Sequence, residues 1–171
     1  FNGTGESTRQ RNASQAWAAR ASVDPVGPFS LSEGANDATD EAVFHVGAAM
    51  RGGEPIRGRA DDDTFEDVDQ QRAFNVELAV KAPRVFASAE HFWMIDEQEN
   101  PMTARDIDSR GYHAQGGFMV VPGTTEVGVL YAHVDGDTSV PDSAVSELRA
   151  VIGYYFQGHS LKLQADAGRL S

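Results

Sequence analysis

Between Arg110 and Asp166 the chain passes through four segments, GYHAQGGFMVV, EVGVLYAHV, SELRAVIGYYF and LKLQADA, in which apolar residues alternate with polar or small ones. A period of two belongs to a β-strand with two unlike faces, so the stretch predicts successive strands. Alternation by itself leaves two architectures open. In a soluble sandwich the apolar face points inward, whereas in a closed membrane barrel it points outward and the polar face lines a lumen. The trio Tyr154, Tyr155 and Phe156 sits at a strand end beside a short turn. That is the placement expected of an interfacial aromatic girdle, and it favours the barrel.

The same rhythm extends over the whole chain, which reads as a single segment of strands over 15–169 after a polar loop over 1–14. Gln15 to Asp24 sets Trp17, Ala19, Ala21 and Val23 against Arg20 and Ser22. EAVFHVGAAMR sets Phe44, Val46, Ala48 and Met50 against His45, Gly47, Ala49 and Arg51, and RAFNVELAVK sets Phe74, Val76, Leu78 and Val80 against Asn75, Glu77, Ala79 and Lys81. VFASAEHFWMI follows a tight reversal at Ala82-Pro83-Arg84, and its consecutive Phe92, Trp93 and Met94 suggest a bulge that shifts the phase. With the four later segments the expectation is about eight strands and no helix.

Connection lengths add a topology. Tight turns are expected after Lys81, Val121 and Phe156, and long polar loops at 52–71, 97–109 and 135–146. Short turns on one side and long loops on the other are the architecture of outer-membrane barrels, whose short turns are periplasmic. The connection Pro25 to Asp40 is long for such a turn. On this parity the strand from Leu161 runs outward, so at least one closing strand is expected beyond Ser171. The opening Phe1-Asn2-Gly3 likewise reads as the interior of a longer chain.

Composition excludes several classes. No apolar run in the 171 residues approaches the roughly 20 needed for a membrane-spanning helix, although a mean hydropathy of −0.40 leaves a barrel open. A net charge of −12 disfavours binding to nucleic acid. Cysteine is absent, so there is neither a disulfide framework nor a thiolate metal site. His45, His91, His113, His133 and His159 are scattered without metal-ligand spacing, and no P-loop, dinucleotide fingerprint or nucleophile elbow occurs. The reading is therefore of a protein that is not an enzyme and needs no cofactor. The acidic run Asp61 to Asp69 lacks EF-hand spacing and reads as a solvated loop. Two sequons, Asn2-Gly3-Thr4 and Asn12-Ala13-Ser14, fall in the polar loop.

The run SRGYHAQGGFMVVPGTTEVGVLYAHVDGD, followed by LRAVIGYYFQGHSLKLQADAG, resembles the C-terminal strands of the phosphate-selective porin O and P family. DPVGPFSLSEG and FNGTG are similar to earlier segments of that family, and the sharpest motif is Gly153 to Gln164. The resemblance implies an all-β, antiparallel transmembrane β-barrel, of which this chain would supply about eight of sixteen strands as a truncated C-terminal part. It further implies a homotrimer in the bacterial outer membrane, in contact with membrane lipid and lipopolysaccharide. Its solutes would be small and hydrophilic or anionic, with phosphate as one candidate.

Permeation through such a channel is governed by width and wall charge, so the candidates are the residues on the wet face. They are Arg20, Arg51, Glu77, Lys81, Glu90, His113, Gln115, Glu126, Arg149, Lys162, Gln164 and Asp166. Their signs nearly balance, which points to a porin rather than to a phosphate-selective one. Arg149 and Lys162, on adjacent strands, are expected to form a basic stripe. Lipid would meet Trp17, Phe74, Val76, Leu78, Tyr112, Phe118, Val127, Val129, Tyr131, Ile152 and Tyr154. The alternative is a soluble all-β binding module, such as a carbohydrate-binding sandwich, whose apolar face packs on a second sheet.

Overall fold

A computed structural model describes residues 16–30, 40–53, 68–98, 105–157 and 160–171. They contain eight strands: β1 (Trp17–Val26), β2 (Val43–Gly53), β3 (Val68–Ala82), β4 (Val85–Gln98), β5 (Ile107–Val121), β6 (Thr125–Asp135), β7 (Ala144–Gln157) and β8 (Leu161–Leu170). The strands form one antiparallel sheet in the order β1 to β8, each hydrogen-bonded to its neighbours in sequence. No described strand packs face to face on another, so the two-layer sandwich considered from sequence is not what these residues build. Nor is β1 hydrogen-bonded to β8 among the described residues, and both strands are exposed along their whole length.

The strand positions follow the alternation, with some strands longer than expected. β3 begins at Val68 inside the region read as loop, β4 runs to Gln98, β5 begins at Ile107, and β7 begins at Ala144. The acidic run lies outside the described residues up to Asp67, and the 1–14 loop with its two sequons lies outside them altogether. The expected bulge at Phe92 to Met94 does not occur. β4 pairs without interruption with β3 from Val85 to Glu97 and with β5 from Val85 to Asp96. Trp93 therefore takes the apolar face, while Phe92 and Met94 take the other, because neighbours in a pleated strand point to opposite sides.

The tight turns β3–β4, β5–β6 and β7–β8 fall at one end and the connections β2–β3, β4–β5 and β6–β7 at the other; the long connection from Val26 to Val43 breaks the pattern by lying at the tight-turn end. The hairpin β3–β4 turns through Pro83 and Arg84 alone, and β5–β6 through Pro122 to Thr124. Arg84 holds a left-handed φ of 68°, a conformation that favours glycine or asparagine. It is held there by the neighbouring turn: the Arg84 guanidinium donates to Met119 O at 2.9 and 2.7 Å and to Val120 O at 2.8 Å. The guanidinium also lies 4.8 Å from the Phe118 ring centroid. At the opposite end the loop between β6 and β7 is clasped by Asp137. Its carboxylate accepts from Arg105 at 3.1 and 2.5 Å, from Ser139 N at 3.1 Å and from Ser139 Oγ at 2.8 Å.

Candidate functional site

Register settles which side chains share a face. Following the paired residues across all eight strands puts every polar candidate named from sequence on one face, from Arg20 on β1 to Asp166 on β8. The same pairing puts the eleven apolar residues expected in lipid, from Trp17 to Tyr154, on the other. Three acids join the polar face that the sequence reading left out: Asp24, Asp96 and Glu147. Each continues the parity of a residue already placed there, so alternation alone could have found them.

Arg20 and Arg149 on this face are tied to acids, and Arg51 to an amide. Arg20 Nε donates to Glu77 Oε1 at 3.0 Å, and the same carboxylate lies 3.4 Å from His45 Nε2, whose Nδ1 is 2.7 Å from Asp24 Oδ1. Arg51 donates to the Gln71 amide oxygen, and the Gln71 amide nitrogen donates to Asp96 at 2.7 Å. Asn75 donates to Glu90, beside His113. Arg149 bridges Glu147 on its own strand and Asp166 on β8.

This arrangement corrects the basic stripe. Arg149 lies opposite Gly168 and is held by two carboxylates, whereas Lys162 lies opposite Tyr155, six residues farther along β7. Tyr155 is a second correction: it belongs to the polar face, where its hydroxyl donates to Glu126 at 2.5 Å, and it takes no part in an outward girdle. Tyr154 and Phe156 do face each other, with ring centroids 4.7 Å apart. What the polar face offers chemically is a wall of paired charges and amides. Among the described residues no group of three or more His, Asp or Glu is placed to hold a metal.

The opposite face is apolar along most of the eight strands, with Arg72, Glu97, Asp108, Arg110, Asp135 and Arg169 on it toward the long-loop end, and Leu78, Val129, Ile152 and Leu163 on it are more than half exposed. Near the long-loop end it carries a row of rings: Phe74 on Trp93 at 5.5 Å, His91 on Trp93 at 3.8 Å, Tyr112 beside His91 at 6.2 Å, and Tyr131 and His133 at 5.9 and 5.3 Å from Tyr112.

This row is oblique to the strands. Trp17 is level with Gly52, Arg72, Ile95 and Asp108 through successive pairs. Phe74 and its partner Trp93 lie two residues nearer the short-turn end, Tyr112 four, and Tyr131, opposite Ala114, six. Six residues at ~3.4 Å over five strand spacings at ~4.8 Å place the row about 40° from the perpendicular to the strands. A second row slopes the same way more gently, by four residues over five strand spacings, or about 30°. Phe118 lies two residues beyond the level of Phe44, and Tyr154 two beyond the level of Phe118.

Comparison of the chain with protein-family models, with curated proteins and with solved structures finds no match in any of the three.

Proposed function

We propose that the chain is wall of an outer-membrane-type β-barrel channel through which small hydrophilic solutes diffuse passively, with the apolar face in lipid and the polar face toward water. The observation that carries this reading is the pair of oblique aromatic rows that slope the same way across the strands, the longer by about 40° and the other by about 30°. Strands of membrane barrels tilt by roughly 35–45° from the membrane normal, and aromatic girdles mark both interfaces, so a level girdle crosses tilted strands obliquely. The slope of about 40° obtained from register alone falls in that range. A soluble sheet has no reason to advance its aromatics in one direction from strand to strand.

The band between the interfaces has a suitable height. Outward positions on β4 from Ile95 through Trp93, His91, Ala89 and Ala87 to Val85 carry no Asp, Glu, Lys or Arg. Ten residues at ~3.4 Å, tilted by ~40°, span about 26 Å, against an apolar band of about 25 Å in such barrels. On the polar face Asp24, Glu77, Glu90, Asp96, Glu126, Glu147 and Asp166 outnumber Arg20, Arg51, Lys81, Arg149 and Lys162. Selectivity for anions requires an excess of basic residues lining the pore. The solutes we propose are accordingly small hydrophilic molecules in general rather than phosphate in particular.

Depth-dependent quenching by brominated lipids tests the reading, since Trp17 and Trp93 are the chain's two tryptophans. Variants with Trp17 alone, Trp93 alone, and Y131W without either are compared in vesicles. All three should report one interfacial depth. If the strands stood upright in the bilayer, the Y131W variant would lie about 20 Å from the level of Trp17. Absence of quenching in all three would overturn the membrane assignment itself.

A further inference from the structure

Burial on the polar face is not spread evenly along the strands. Lys81 and Met119, each 1% exposed, and Tyr155, Glu126, His45 and Val43 are the buried side chains there among the described residues. All of them lie toward the short-turn end. Farther along the same face side chains stand open, with Arg20 and Arg149 about half exposed at 49% and 47%.

The buried positions follow the slope of the outer aromatic rows. Lys81 pairs with Phe86, and Phe86 with Gly117. Met119 lies two residues beyond Gly117 and pairs with Glu126; Tyr155 lies two beyond Gly153, the partner of Glu126. The step matches that from Phe44 to Phe118 to Tyr154 on the outer face. Residues scattered along the strands thus fall at one height in the bilayer. The level is densely filled: Phe86 packs on Met119 and Tyr155, and the place of a Cβ on Gly117 is taken by Glu126 and Phe86. Phe29, from the connection after β1, is folded onto the same level. Its amide donates to Asp24 at 3.2 Å, and its ring lies 5.4 Å from His45 and 5.5 Å from Lys81 Nζ.

We infer that the channel is narrowest at its short-turn mouth, at the level set by Lys81, Phe86, Met119, Glu126 and Tyr155 with Phe29 folded over it. This rests on the channel reading above. Two hollows remain at that level, of about 170 and 110 Å³, and Phe86 lines both. Lys81, Glu126 and Lys162, the partner of Tyr155, bring charges of both signs to the ring segment, and Phe29, Phe86 and Met119 bring none. The level therefore selects by width more than by sign, which suits small hydrophilic solutes of either charge.

Phe86 and Phe92 make the test, because they share a strand and a face but lie six residues apart along it. Single-channel conductance is measured in planar bilayers for the closed barrel that carries this wall, as the parent and three variants. F86A should raise conductance roughly 1.5-fold, F86W should lower it, and F92A should leave it within a few per cent, because conductance follows the narrowest diameter. The opposite signs of the two Phe86 variants separate a change of width from loss of folding. A larger change from F92A than from F86A, or no change from either Phe86 variant, overturns the inference while leaving the channel reading intact. A parent barrel that gives no conductance under any condition overturns both.

Discussion

At the scale of single residues the two faces predict opposite tolerances. Val76 points to the apolar face and Glu77, next to it, accepts from Arg20 and lies beside His45. Placing a cation at mid-depth in lipid costs about 2–4 kcal/mol, so V76R should reduce stability in detergent or lipid by that order. E77Q keeps the shape and one acceptor oxygen and should fold, as urea titration followed by heat-modified gel mobility would show. Equal losses from the two would mean the faces are assigned wrongly. Gly111 makes a different demand. A Cβ there would come within 2.9 Å of His133 O, a backbone atom, and would also meet the end of the Phe92 ring. Because the backbone oxygen cannot swing aside, G111A should destabilise by about 1–3 kcal/mol in the same titration.

At the scale of elements, turns and loops carry separable chemistry. Arg84 adopts its left-handed backbone at a cost and recovers it through the bonds to Met119 O and Val120 O. R84A keeps the cost and loses the bonds, whereas R84G loses both. R84A should therefore be the less stable of the two by about 1 kcal/mol, measured by chemical denaturation. In the loop between β6 and β7, hydrogen bonds from Arg105 and then Ser139 hold the Asp137 carboxyl well below its usual range, to about 2. A depressed carboxyl stabilises the folded loop in full above its ordinary value near 3.8 and ceases to do so as pH falls through about 2. An acid-active protease should cut Gly136 to Ser143 slowly at pH 5 and progressively faster from pH 4 to 2. D137N should be cut fast at pH 5 already.

These elements also show what was legible in the sequence. Strand identity and the long and short ends were, because period-two alternation and turn residues are local signals. That the polar candidates share one face was legible for the same reason. Their partners were not: Arg149 looked like half of a basic stripe because Asp166 becomes its neighbour only through the β7–β8 register. Tyr155 was grouped with Tyr154 and Phe156 by adjacency, although adjacency in a strand separates faces. The outer ring row escaped notice because its members lie on four strands and align only after the stagger is known.

At the scale of the whole molecule the eight strands form a sheet whose neighbours in space are always neighbours in sequence. Pairing therefore closes only short loops, and each hairpin can form before the next is available. A chain cut between β4 and β5 should reassemble from its two pieces when they are co-refolded in detergent, and native mass spectrometry would detect the complex. Failure to re-pair would show that the sheet depends on long-range order that its topology does not require.

The meander also bears on how such a wall can change over time. Two consecutive strands joined by a tight turn bring one strand of each direction, one share of each face, and return the chain to the end from which it started. Gain or loss of a β3–β4-like hairpin would leave every other residue on its own face and every long loop on its own side. The natural unit of variation is then the hairpin. The width of the sheet can grow or shrink by two strands at a time, with the chemistry of the remaining strands untouched.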